Sequence, residues 1–340
     1  MNRRSLLVFP MIFISFIMVT VWVPSQINAE SIILRYANFT PAPTFPCIQM
    51  ERWKKEVEKR TGSEVVVQTF PAGTLLGAKD MMEGVLSGQA DIGCLCTVYQ
   101  PGRFVITNAI SLPLGIPNAR AGSLALWEFY QKYKPKSFSE VKVLTMFTTA
   151  PANIMSRVPV RNLGDIKGLA LGTPDGASQL LNAWGANQMD AFMSETPETL
   201  QNRILQGLFS SLEVMKDLAY AEYFHYVTQT DAVIYPFAVV MNMGTWSSLP
   251  MNVQKVIEGL GTEQSEWTGR YLDYRVKSSI EWSQKKYQVE IVQLSKEEKA
   301  KWDVTLSTIT EKWTKEATSK GYPAESILED IKSLIRKYSL

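Results

Sequence analysis

The sequence predicts an α/β protein of two lobes, each organised around a doubly wound parallel sheet, with helices closing the chain. Three observations carry this expectation. Strand-like runs alternate with helical periodicity from residue 32 to 96, a second such series starts near Pro151, and the chain beyond Pro250 reads mostly as helix. With 340 residues and 46% hydrophobic content, the chain can bury more core than one ordinary domain holds.

The first element is not part of the fold. Met1-Asn-Arg-Arg4 forms a positive head, Leu6 to Val23 is apolar, and a polar stretch from Pro24 ends at Ala29, which together read as a secretory signal cleaved just after Ala29. The length of the apolar run also permits an uncleaved membrane anchor, but the small residue at Ala29 and the lack of a second apolar span favour removal. No cysteine stands at the boundary, so no lipid anchor is expected. Cleavage removes Arg3 and Arg4 from the 35 basic residues, leaving 33 against 33 acidic ones. A zero net charge gives no ground for a nucleic-acid partner or an acidic-membrane partner. Export implies an oxidising compartment and three cysteines to account for: Cys47, Cys94 and Cys96. Cys94 and Cys96 share a strand face, so either could bridge to Cys47; three buried thiols is the other possibility.

Ile32 to Ala37 is rich in β-formers, and the prolines of Thr40 to Pro46 impose an irregular loop. Met50, Trp53 and Val57 then recur with helical spacing, Gly62 stops that helix, and Val65 to Phe70 makes a second strand. Met81, Met82, Val85 and Leu86 mark another helix, closed by Gly88, and Ala90 to Cys96 a third strand. In the second series, strands are expected at Asn153–Arg157, Leu169–Thr173 and Met189–Met193, and helices at 177–184 and 197–206. A long apolar strand from Ala232 to Met241 would carry the chain back. Val253, Val256, Ile257 and Leu260 form one helical stripe, and Trp302, Leu306, Ile309 and Trp313 another, both read as packing.

Catalytic chemistry has little to work with. The single histidine, His225, stands between Phe224 and Tyr226 and reads as structural rather than as a general base. Three cysteines with one distant member do not make a zinc site, and Gly73 to Lys79 imitates a phosphate loop without its final Lys-Ser/Thr pair. No cofactor and no metal are expected.

Seven segments together carry a family resemblance: Leu34-Arg-Tyr-Ala37, Phe70-Pro-Ala-Gly-Thr-Leu-Leu-Gly77, Gly88-Gln-Ala-Asp-Ile92, Ser111-Leu-Pro113, Asp165-Ile-Lys-Gly-Leu169, Leu205-Gln-Gly207 and Trp246-Ser-Ser-Leu-Pro250. In this order they resemble the solute-binding proteins of tripartite ATP-independent periplasmic (TRAP) transporters over essentially the whole mature chain. The resemblance implies a periplasmic-binding-protein fold, with hinge strands and a long C-terminal spine helix. Lobe I would comprise 30–150 with 238–277, and lobe II 151–237 with 278–340. It also implies a periplasmic monomer that traps one small solute, usually an organic acid, and hands it to a small and a large membrane subunit for ion-driven uptake.

The family's carboxylate-binding arginine falls at Gly172 here, so that clamp is missing. Other contact positions fall at Phe39, Cys96 and, beside Glu213, at Val214, all apolar or weakly polar. This set points to an aromatic, amphipathic or otherwise atypical ligand. Two rescues of an ordinary organic-acid site compete with it: Arg157 reaching in from a neighbouring strand, or N–H groups at the helix start that follows Gly172 and Thr173. Asp175 would cap that helix, or alternatively meet a cationic amine. Phe39, Phe45, Tyr99, Phe192, Tyr235 and Phe237 fall on loops or strand ends facing the expected cleft, where rings can stack on a planar ligand or belong to the core. A secreted enzyme acting from the same cleft is the rival reading.

Overall fold

The structure is a computed structural model, which describes residues 31–173, 178–190, 200, 202 and 204–339. The expected helix at 197–206 and the end of the expected strand at Met193 lie largely outside the described residues.

The chain opens as β1 (Ile32–Asn38), α1 (Phe45–Arg60), β2 (Val65–Phe70), α2 (Met81–Leu86) and β3 (Ile92–Cys96). Pro46 sits in the first turn of α1, where its missing N–H costs nothing, and Gly62 takes φ +61° just past the helix end. Two short 3₁₀ turns, Thr97–Tyr99 and Thr107–Ser111, lead into α3 (Ala119–Tyr133) and β4 (Val141–Thr148). Pattern reading passes over α3 because its first half is buried on nearly every side, which erases the polar half of the helical period.

The second series is β5 (Asn153–Ser156), α4 (Leu163–Ile166), β6 (Ala170–Thr173), α5 (Ser178–Trp184), β7 (Asn187–Asp190), β8 (Gly207–Ser210), α6 (Val214–Asp217) and β9 (Tyr226–Gln229). Next come β10 (Pro236–Asn242), α7 (Met243–Ser248), α8 (Met251–Tyr287), β11 (Glu290–Gln293), α9 (Lys296–Ser319) and α10 (Ala324–Tyr338).

The strands make two sheets, ordered β2-β1-β3-β10-β4 and β11-β9-β5-β8-β6-β7. They are mixed rather than wholly parallel. β10 runs antiparallel to both β3 and β4, and β5 antiparallel to β8 and β9, because these are the strands with which the chain passes between the sheets. The two crossing segments run side by side: Thr149 N–H donates to Tyr235 O at 2.9 Å, and Ala152 N–H to Val233 O at 2.7 Å. Asn153 locks the second crossing by accepting from the N–H groups of Thr230 and Asp231.

Helix α8 has 37 residues, about 56 Å at 1.5 Å per residue. Its first part packs on α1, α3 and β4, and its last part on α6, so it backs both sheets. Close approach needs glycine there. A Cβ on Gly269 would stand 2.6 Å from Arg120 Cα, and one on Gly261 2.6 Å from the Trp127 ring. Four residues beyond Gly269, the Asp273 carboxylate accepts from Ala119 and Arg120 N–H at 2.8 and 3.1 Å, satisfying orphan donors at the start of α3. A large apolar cluster fills the first sheet's layers and extends under α5, α9 and α10; a smaller one centres on Met155, Leu208, Phe224 and Val227.

Candidate functional site between the two sheets

At the carboxyl ends of β1 and β3 the first sheet presents aromatic side chains. Phe39 follows β1, Cys96 closes β3, and Phe237 of β10 pairs in register with Cys96. The Phe39 ring lies parallel to Phe237 at 6.1 Å, Phe237 lies on Phe147 at 5.4 Å, and Phe45 meets Phe237 edge-on at 5.6 Å. Tyr99 meets the Phe39 ring at 5.5 Å and is the half-buried outer member of a cluster otherwise closed to solvent. Such contacts add about 0.5–1.5 kcal/mol per pair beyond burial. The three thiols beside this cluster are free and buried, so no bridge forms. Burial pushes Cys47 up to about 11 and Cys96 up to about 12, which keeps both protonated and unreactive.

The second sheet presents small residues instead. Gly172 and Thr173 end β6, buried between β7 and β8. Tyr235 comes from the crossing segment, and its hydroxyl donates to Phe209 O at 3.3 Å. With that one proton committed, the Thr173 hydroxyl 3.2 Å away must be the donor to Tyr235. Burial pushes the Tyr235 phenol well above its ordinary range. Thus Thr173 and Tyr235 are brought together, with Gly172 beside them.

Arg157 is not brought to this place. It follows Ser156, which pairs with Gly207 at the amino end of β8, the end opposite Thr173. Its guanidinium donates to the carbonyls of Leu200 (2.9 Å) and Leu205 (3.3 Å) and lies over the rings of Tyr223 and Phe224. Glu213 and Val214 do lie past the carboxyl end of β8, but they are buried against α8: Val214 joins the smaller core, and Ser279 of α8 donates to Leu212 O at 2.7 Å. Burial raises the Glu213 carboxyl to about 7 despite Ser211 and Arg275 nearby, Arg275 being paired with Asp217. Asp175 and Phe192 lie outside the described residues. His225 is exposed, and its carbonyl accepts from Glu290 N–H in the β11 approach.

The pocket that opens beside Tyr235 is walled mainly by residues that pattern reading assigned to packing or did not single out. The 3₁₀ segment supplies Val98, Asn108, Ser111 and Leu112; α5 supplies Gln179 and Leu180; α9 supplies Ile309, Lys312, Trp313 and Glu316. The cavity itself amounts to about 120 Å³ and opens to solvent at its mouth. Trp313 Nε1–H donates to Val105 O at 2.9 Å and pins α9 across the pocket. Asn108 is spent on Thr97, with Thr97 Oγ1 donating to it at 2.6 Å. The one available signal was the Ser111-Leu-Pro113 segment; α9's contribution depends on a helix returning across some 200 residues of chain, which local periodicity cannot reveal.

Two sheets joined by paired crossing strands, backed by one long helix and enclosing a pocket between them, define the class of extracytoplasmic solute receptors. Residues 36–316 match the model of the family described as bacterial extracellular solute-binding protein, family 7 (DctP), and the chain belongs to that family, the solute receptors of TRAP transporters. It is similar to a TRAP periplasmic solute-binding protein from Desulfovibrio salexigens, at 49% identity and TM-score 0.83, over 91% of this chain and 97% of that one. That protein is described as an open complex with the C-terminus of a symmetry mate in its ligand-binding site. The fold is shared with a Rhodoferax ferrireducens receptor in complex with copurified benzoate (21% identity, TM-score 0.86, 91% and 99% covered). It is also shared with a marine metagenome receptor specific for aromatic acids, holding 3-hydroxybenzoate (23%, 0.86, 92% and 100%). The family's proteins bind small solutes and work with TRAP membrane subunits; they are receptors, not enzymes. No helix among the described residues is long and apolar enough to cross a membrane.

Proposed function

We propose that this chain is the receptor for a monocarboxylate with an aromatic or amphipathic body, trapped between lobe I (30–150 with 238–277) and lobe II (151–237 with 278–340). The observation that carries the reading is the end of β6. Gly172 offers no guanidinium there, Thr173 is bonded to Tyr235, and Arg157 is engaged with the Leu200 and Leu205 carbonyls at the far end of the sheet. A dicarboxylate buried at that point would lack the bidentate partner that offsets its desolvation, whereas a ring fits the apolar lining. Two kinds of relative support an acid: receptors of this fold hold benzoate and 3-hydroxybenzoate, and the 49%-identical receptor accommodates a chain terminus, which carries a carboxylate. The acting form would be a monomer freed of residues 1–29 by cleavage after Ala29, a point that the mass of the exported protein checks.

Thermal-shift screening tests the ligand class, because a ligand that binds only the folded state stabilises it by RT ln(1 + [L]/Kd). Benzoate, 3-hydroxybenzoate or mandelate should raise the melting temperature, and succinate should not. Stabilisation by succinate that disappears in Arg157→Ala would instead establish the ordinary organic-acid reading.

A further inference from the structure

We propose that the acid group of the solute is received not on β6 but across the pocket, by Lys312 of α9 together with the Ser111 hydroxyl; this rests on the aromatic-acid reading above and assigns its anchor. Both residues line the pocket beside Tyr235. Ser111 Oγ is shielded from solvent and has no hydrogen-bond partner among the described residues. A donor left in that state is costly unless a ligand completes it. Lys312 enters no ion pair or hydrogen bond among the described residues, whereas the other charged residue on the pocket wall, Glu316, is paired with Lys320 at 2.8 Å. The wall therefore holds one uncommitted cation, the Ser111 hydroxyl and the Gln179 amide, alongside apolar Val98, Leu180 and Trp313.

This distribution of groups matches a single anionic head on a flat apolar body. An ammonium is a point charge on a flexible stem and holds one carboxylate without demanding the fixed geometry of a guanidinium fork. A second carboxylate would face the apolar wall or Glu316. The site thus favours monoanions by offering no second cation, and its anchor is on α9, whose Trp313 bonds to Val105 across the pocket.

Isothermal titration with benzoate on the full mature chain tests the assignment. Lys312→Gln should weaken binding roughly ten- to hundredfold and Ser111→Ala roughly three- to tenfold, as expected for a charged and a neutral hydrogen bond. Arg157→Gln should stay within about twofold, and uncharged benzamide should bind wild type and Lys312→Gln alike. Because Lys312 is exposed, its replacement should leave the melting temperature of the ligand-free protein unchanged. Wild type that binds benzoate with Lys312→Gln equal to it overturns the anchor while the aromatic-acid reading stands. Wild type that binds no aromatic acid overturns both.

Discussion

The two sheets use their carboxyl ends in opposite ways. The first closes its end with stacked rings, Phe39 on Phe237 on Phe147, over three silent thiols. The second ends in Gly172 and Thr173, with a raised carboxyl at Glu213 against α8. Helix α8 joins the two: against the first sheet's layer it packs backbone to backbone at Gly269 and bonds through Gln264, Ser265 and Asp273, and against the second it packs through Ser279, Arg275 and Asp217. The first sheet thus ends in a packed aromatic wall, and the second in an edge of small residues with a buried carboxyl behind it.

The largest test of that contrast is Phe237→Ala, which removes the middle of the ring stack; urea unfolding should show a loss of about 3–5 kcal/mol. Next is pH. A carboxyl raised to about 7 from an ordinary 4.5 leaves the folded state favoured below pH 4.5, with that advantage lost progressively as pH rises to 7. Glu213→Gln should abolish this component, on the order of 3 kcal/mol, so that the melting temperatures of mutant and wild type diverge in the mutant's favour between pH 5 and 8. Gly269→Ala should cost about 1–3 kcal/mol, because neither the Arg120 backbone nor α8 can give way cheaply. Smallest should be Cys94→Ala, about 1 kcal/mol or less, with no change in melting temperature under reducing conditions for the wild type, since no bridge exists to reduce.

The elements with open periodicity were legible in the sequence. β1, α1, β2, α2 and β3 follow directly from it, and the spine helix from its stripe beyond Pro250. α3 and β4 were not, being buried on too many sides to show a face, nor were β9, β11 and β8, whose first residue, Gly207, reads as a helix stop. At the site, motif order alone sets Gly172 where the resemblance would put a carboxylate-binding arginine. The pairing of Thr173 with Tyr235, the far-end position of Arg157 and the pocket face of α9 depend on strand register and long-range return, which no local window contains.

A rod some 56 Å long that is fastened to both halves has a mechanical consequence. Any change in inclination between the halves must be taken up as curvature or slippage along that rod, as well as by rotation at 149–152 and 230–235. On the side facing Arg120 the rod is held by close backbone contact, and around Arg275 and Ser279 by a largely buried ion pair and a buried hydroxyl, so displacement at either end would have to break contacts that are largely sealed from water. Loosening either fastening should therefore show first as a loss of stability, with the resting architecture unaltered.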